Sequence, residues 1–311
     1  MAQIGRDKIE IVKPKGYVSP VMRRSAELES LLKKAVADVT SEYRFKPEEI
    51  AATIIDLRDL DLLSMADVNG EFPLYPASVV KMFYMAALHR QLEDGKIVLT
   101  KELERGLRDM IVDSSNEATQ YILDVLTDTS SGAERPLKEF EKWQYNRNRV
   151  NRFYSSMGYQ NINVNQKTFC EDAYGIEQQS RAYQGQNRNM LTTNATARLM
   201  AEIALRRFVT EDRSMQMLDL MKRDWEAKSN DPDSQAVGFT GKALIDKSAT
   251  GTKLWSKAGW TSKARHDAAY IETPDGLRFV LVIFTENHAN DREPIPQLAN
   301  KIIEGLKEIR K

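Results

Sequence analysis

From Ser25 onward the apolar residues Leu28, Leu31, Leu32, Ala35 and Val39 recur every three or four positions, the period of an amphipathic helix that packs one face on a sheet. Residues 50–57 (IAATIIDL) are few and β-branched, which predicts a strand; a polar turn at Asn69-Gly70 and a second extended piece running to Pro76 would complete a first hairpin. Near the other end, residues 267–273 and 277–285 (LRFVLVIFT) flank Pro274-Asp275-Gly276, residue types suited to a tight reversal. Pro294 and Pro296 then open a closing helix with Leu298, Ile302, Ile303 and Leu306 on one face. Between Ser78 and about Gln235 the period is helical throughout, in VVKMFYMAALHRQLEDG, ELERGLRDMIV, NEATQYILDVL, NRVNRFYSSMG and TTNATARLMAEIALRRF. Residues 1–22, with Lys13-Pro14-Lys15-Gly16 and Ser19-Pro20, have no apolar period and read as an arm.

This order predicts an α/β plus all-α fold in which both chain ends enter one antiparallel sheet flanked by helices, and the helical middle is inserted as a second lobe. The expected division is an arm (1–22), an α/β lobe (23–75 and 236–311) and a helical lobe (76–235), with the active site in the cleft between the lobes. No repeat or low-complexity run interrupts it.

Composition narrows the function. The 311 residues carry 45 Lys and Arg against 45 Asp and Glu, so no excess of cations is available to displace phosphate counterions, and no nucleic-acid partner is expected. Apolar runs such as residues 279–284 fall far short of the roughly 20 residues that span a bilayer, so no membrane span is expected. Cys170 is the only cysteine, which rules out an intrachain disulfide and a Cys-based zinc site. His89, His266 and His288 have no metal-ligand spacing, so neither metal nor cofactor is expected. The first 16 residues alternate charges and lack an apolar core, so no secretory signal is expected in this chain, and the compartment is left open.

Candidate chemistry begins at Ser78-Val79-Val80-Lys81, where an extended piece passes through Pro76 into an apolar helix. Three residues apart on a helix, the serine and lysine share a face. A serine hydroxyl becomes nucleophilic when a neighbouring base takes its proton, and a desolvated lysine can be that base. The helix N-terminus adds backbone N–H groups where an oxyanion would develop. The spacing alone is weak evidence, since Ser30 and Lys33 repeat it on the first amphipathic helix, where a solvated face explains them. Further along stand Ser114-Ser115-Asn116 and Lys257-Ala258-Gly259, the only S-x-N and the only K-x-G in the chain.

S-x-x-K, S-x-N and K-x-G in this order resemble the motif set of the penicillin-recognising serine hydrolases, and the chain from about Ser25 to its end is most similar to class A β-lactamases within that superfamily. The resemblance implies a β-lactamase/transpeptidase-like fold and a set of roles. Ser78 would attack an amide or ester carbonyl to form an acyl-enzyme, and Lys81 would take its proton or orient the group that does. Ser114 would relay a proton to the leaving nitrogen, Asn116 would bond the substrate's side-chain amide, and Lys257 would place positive charge near a substrate carboxylate. The backbone N–H groups of Ser78 and of Trp260, which follows Gly259, would form the oxyanion hole. The implied partner is a small β-lactam or an acyl-peptide or ester substrate, and a monomer is expected; family members usually act outside the cytoplasm.

Three departures limit this resemblance. Ser115 replaces the usual Asp, a loss expected to be structural. Ala258 replaces a Thr or Ser whose hydroxyl binds the substrate carboxylate, a loss of ~1.5–3 kcal/mol, with Thr261 or Ser262 as replacements. The E-x-x-L-N sequence whose Glu activates the deacylating water is absent. Counting back from Thr192-Thr193 puts Glu177 at that place, followed by Gln178-Gln179-Ser180-Arg181, with Glu171 and Asp172 as competitors and a solvated loop carboxylate as the plain alternative. A charged insertion at residues 130–148 either rims the cleft or forms an exposed helix. Slow release of the acyl group, as in a D,D-peptidase or esterase, and a sensor that binds without turnover are the alternative functions.

Overall fold

The computed structural model describes residues 9–309. Helix α1 (Ala26–Tyr43) begins where Ser25 accepts a hydrogen bond from the Leu28 N–H, a cap of about 1 kcal/mol, and buries Leu28, Leu32, Ala35, Val36 and Val39. A seven-stranded sheet comprises β1 (Met22–Arg24), β2 (Ile50–Asp56), β3 (Leu63–Val68), β4 (Lys222–Arg223), β5 (Lys253–Trp260), β6 (Ala264–Glu272) and β7 (Arg278–Glu286). Their spatial order is β1-β3-β2-β7-β6-β5-β4. Every pairing is antiparallel except the short edge pair β1–β3, which is parallel.

The first hairpin differs from its sequence expectation. The partner of β2 is β3, which precedes Asn69-Gly70, and the reversal lies around Asp59, whose carboxylate accepts from the N–H groups of Asp61 and Leu62. The piece leading to Pro76 is no strand and makes only an isolated bridge, Leu74 to Leu191. Periodicity hid β3 because only Leu63 and Ala66 of LSMADV are buried. The Pro274-Asp275-Gly276 reversal is as expected, with Gly276 at φ +89.

Helices α2 (Val80–Glu93), α3 (Lys101–Ile111), α4 (Asn116–Thr127), α5 (Leu137–Arg147), α6 (Arg149–Ser156), α7 (Ile176–Arg181), α8 (Thr193–Ala204) and α9 (Glu211–Met221) all lie between β3 and β4 in the chain; α10 (Thr240–Asp246) and α11 (Pro294–Ile309) follow. Strand β7 explains why LRFVLVIFT is apolar without alternation. Val280, Val282 and Phe284 face the core shared with α2 and α8, while Phe279, Leu281 and Ile283 face the core shared with α1 and α11, so the central strand is covered on both sides.

Helix α5 falls in the 130–148 insertion and buries Phe140, Trp143 and Arg147, so one of its faces is internal. The arm expected over residues 1–22 lies partly outside the described residues. Its remainder is docked: Glu10 pairs with Arg149 and Arg152, Ile11 is buried, and the Tyr17 hydroxyl donates to Glu202. Among the described residues no helix is long and apolar enough to cross a membrane, and no group of His, Cys, Asp and Glu could hold a metal ion.

Candidate active site

Pro76 and Ala77 carry the chain into a 3₁₀ turn, Ala77–Val79, which runs directly into α2. Ala77 adopts φ +46, a left-handed conformation unfavourable for a residue with a Cβ, of the kind that collects at functional sites. Nearly all of α2 is buried, which fixes its N-terminal turn against both the sheet and the surrounding helices. Ser78 is half-buried at this start, and Lys81, one turn on, is fully buried.

Lys81 is turned toward the S-x-N segment. Its Nζ donates to the Ser114 carbonyl, to Asn116 Oδ1 at 2.8 Å and to Ser114 Oγ at 3.3 Å. Among the described residues the Ser78 hydroxyl makes no hydrogen bond. Burial pushes the Lys81 ammonium down to about 7, with the charges of Glu117 and Cys170 opposing the shift. Ser114, at φ +58, follows the end of α3. Ser115 caps α4 by accepting from the Ala118 N–H at 3.0 Å, so the position lacking a carboxylate has a structural task.

Lys257 reaches the same hydroxyl from β5. Its Nζ donates to Ser114 Oγ at 3.0 Å, to the Ala258 carbonyl at 2.8 Å and to Gln235 Oε1. Complete burial pushes this amine well below its ordinary range; the nearby charges of Lys81 and Arg223 add to the shift and Asp267 opposes it. Ser114 Oγ thus accepts from two amines. A hydroxyl has two acceptor positions and one proton, so its own O–H is left to donate elsewhere.

Gly259 is explained by close approach. A Cβ there would stand 2.7 Å from Ser78 N and 2.9 Å from both Pro76 O and Val79 N, so only a residue without a side chain lets β5 lie against the Ser78 turn. The β5–β6 ladder orients the next residue. Thr261 N–H donates to the Ala264 carbonyl at 2.9 Å, so the adjacent pair, Trp260 and Arg265, is a non-hydrogen-bonded one. The Trp260 N–H therefore points away from β6, to the flank of β5 on which the Ser78 turn packs. Thr261 Oγ1 accepts from the N–H groups of Lys263 and Ala264 within its own turn.

Ser78, Lys81, Ser114, Asn116, Lys257, Gly259 and Trp260 are thus assembled around one point of contact between the start of α2, the α3–α4 turn and β5. Glu177 joins a different cluster. It is buried on α7, with its carboxylate bonded by Arg147 at 2.7 and 2.8 Å and by Ser131 Oγ at 2.9 Å, and with Lys167 at 3.4 Å. Burial raises its carboxyl, but the Arg147 hydrogen bonds and charge, helped by Lys167 and Ser131, outweigh this and hold it below the usual range. Among the described residues no hydrogen bond joins Glu177 to Ser78, Lys81 or Ser114. Glu171 is exposed, and Asp172 is exposed and paired with Arg181.

Sequence reasoning missed three groups at the site. Gln235 holds Lys257, and its loop carried no motif. Glu117 directly follows Asn116, and its charge acts on Lys81. Cys170 accepts a 3.5 Å contact from Asn116 Nδ2 across 54 residues of chain. No local pattern marks any of them.

Residues 102–306 match the Beta-lactamase enzyme family (Beta-lactamase2). No curated protein matches. Among solved structures, the fold is shared with a β-lactamase from Sphaerobacter thermophilus, at 20% identity over 90% of this chain and 97% of that one, with a TM-score of 0.61. It is also shared with a variant of PBP-A, described as an acyl-enzyme complex with penicillin G, at 17% identity over 93% and 99% of the two chains and a TM-score of 0.65. A β-lactamase from Xanthomonas campestris pv. campestris gives 13% identity over 90% and 98%, with a TM-score of 0.64. With two thirds of its length in that match and the three motifs gathered on one fold, the chain belongs to the β-lactamase enzyme family.

Proposed function

We propose that this protein is a serine hydrolase of the class A β-lactamase type that opens β-lactam amides through an acyl-enzyme on Ser78, in a cleft between its sheet and its inserted helices. The observation that carries this reading is the convergence of two buried amines, Lys81 and Lys257, on the Ser114 hydroxyl beside Gly259, where β5 closely approaches the Ser78 backbone. Lys81, lowered to about 7, takes the Ser78 proton as the hydroxyl adds to the carbonyl. The Ser78 and Trp260 N–H groups receive the developing oxyanion. The Ser114 O–H donates to the leaving nitrogen and is replenished from the amines behind it, and Asn116 bonds the acyl side chain. Thr261 or Ser262 would supply the hydroxyl missing at Ala258.

Removal of the acyl group is the weaker half. The engagement of Glu177 by Arg147 favours a second reading in which deacylation is slow, as in a D,D-peptidase or esterase, and a sensor is the limit of no turnover. Intact-mass measurement after penicillin addition tests both halves. The expected result is one penicilloyl adduct per chain that Ser78→Ala abolishes, decaying over minutes or longer. Absence of any adduct, with no hydrolysis of a chromogenic cephalosporin, would refute the proposal.

A further inference from the structure

Gln235 lies in the loop between β4 and α10, with its side chain buried. Its amide uses all of its bonding capacity. Oε1 accepts from Lys257 Nζ and from the Ala258 N–H at 3.2 Å. Nε2 donates to the Val112 carbonyl at 2.9 Å and to the Ile111 carbonyl at 3.2 Å. Those carbonyls lie at the C-terminal end of α3, where no intrahelical partner is available, and Ser114 follows two residues later. The Gln235 side chain therefore joins the segment that presents Ser114 to the strand that presents Lys257, beside Arg223, which donates to the Ile111 and Ser256 carbonyls and not to Lys257.

We propose that Gln235 is a positioning residue of this site: its amide ties the end of α3 to β5 and holds the Lys257 amine against Ser114. The inference rests on the reading of Lys257 and Ser114 as parts of the acyl-transfer machinery and adds a residue to it. An amide suits the task for two reasons. An amide accepts twice from β5 through its oxygen and donates twice to α3 through its nitrogen, whereas a hydroxyl has one proton and a carboxylate has none for the two carbonyls. A neutral acceptor also leaves Lys257 free to exchange its proton with Ser114. The charged groups acting on that amine are Lys81 from α2, Arg223 from β4 and Asp267 from β6, to which Glu at position 235 would add an anion within hydrogen-bond reach.

The test uses the full chain and three proteins: wild type, Gln235→Glu and Gln235→Leu. The Lys257 titration is followed by the 13Cε resonance of labelled lysine, assigned with Lys257→Arg, and Ser78 labelling by penicillin is followed by intact mass across pH. Gln235→Glu should raise the Lys257 midpoint by about one unit or more, the usual effect of an adjacent opposite charge, and shift the labelling profile with it. Gln235→Leu removes both links and should slow labelling at pH 7 by about tenfold to a hundredfold, the loss expected when a catalytic group is misplaced by about 1 Å. A midpoint within 0.3 unit of wild type in Gln235→Glu (on the order of the smallest environmental shift worth reading) overturns the inference, as does unchanged labelling by Gln235→Leu in a labelling-competent wild type. The titration needs no substrate, so it judges Gln235 even if penicillin never labels Ser78, a result that would count against the proposed function instead.

Discussion

Gly259→Ala is the sharpest test of how the site is held together. The added Cβ would meet three backbone atoms, Ser78 N at 2.7 Å and Pro76 O and Val79 N at 2.9 Å. None belongs to a flexible side chain that could turn aside. Carbon atoms settle at about 3.5–4.0 Å from their neighbours, so β5 and the Ser78 turn must separate by roughly 0.6–0.8 Å or more. Two costs follow. Overpacking should lower stability by about 1–3 kcal/mol. The larger effect is chemical, because the separation falls on the two N–H groups, Ser78 and Trp260, that would hold the oxyanion. Losing one such donor costs on the order of 10²–10³ in rate. Labelling of Ser78 by penicillin, timed by intact mass, should therefore slow by at least about a hundredfold in a variant that is still folded by circular dichroism. Labelling within about threefold of wild type, a change smaller than one hydrogen bond is worth, would refute both the oxyanion-hole assignment and the close-approach argument for this glycine.

Lys81 gives a pH dependence of defined sign. Its folded value of about 7 lies below its ordinary 10.5, so between those values the unfolded chain binds more protons and stability rises with pH. Relative to Lys81→Met, wild type should gain stability from pH 7 to pH 10 in denaturant titrations, while Ser78 labelling should rise through about pH 7; a flat difference or a labelling midpoint near 10 would contradict the assignment. Glu177→Gln leaves Arg147 buried with reduced compensation and should cost about 3 kcal/mol, or about 5 °C in unfolding temperature. It should leave the lifetime of the penicilloyl adduct within about twofold of wild type, since no step of the proposed chemistry uses that carboxylate. A normal melting temperature with a greatly prolonged adduct would make Glu177 the water activator after all.

The parts of this fold legible in the sequence are those built by local rules. The apolar face of α1, the Pro274-Asp275-Gly276 reversal and the apolar face of α11 each follow from residues within a few positions of one another. The three motifs were legible as types, because the proposed nucleophile and proton relay each need a particular side chain and the close approach at Gly259 needs none. Strand β3 was missed because, lying next to the short edge strand β1, it buries only every third residue and sends no alternating signal. Gln235 was invisible for a different reason. Its partners Val112 and Ile111 lie 123 and 124 residues away, and nothing about a polar loop residue announces which carbonyls it will meet after folding.

Glu177 illustrates where position along the chain and position in space part company. Counting back from Thr192-Thr193 leads to Glu177 on α7, yet what surrounds that carboxylate is set by Arg147, in an insertion that the motif pattern does not contain. A fully buried guanidinium requires a carboxylate partner, and Glu177 and Asp124 supply it, with Lys167 drawn into the same cluster. Once α5 brings that charge inside, pulling Glu177 out to serve a water molecule would leave Arg147 with Asp124 as its one carboxylate partner, at a cost of about 3 kcal/mol. The insertion thus supplies the buried partner of this loop carboxylate. Under the proposed chemistry, a loop carboxylate committed to a buried arginine is not available as a base to speed deacylation, while the groups proposed to form the acyl-enzyme, held by α2, the α3–α4 turn and β5, take no part in that cluster.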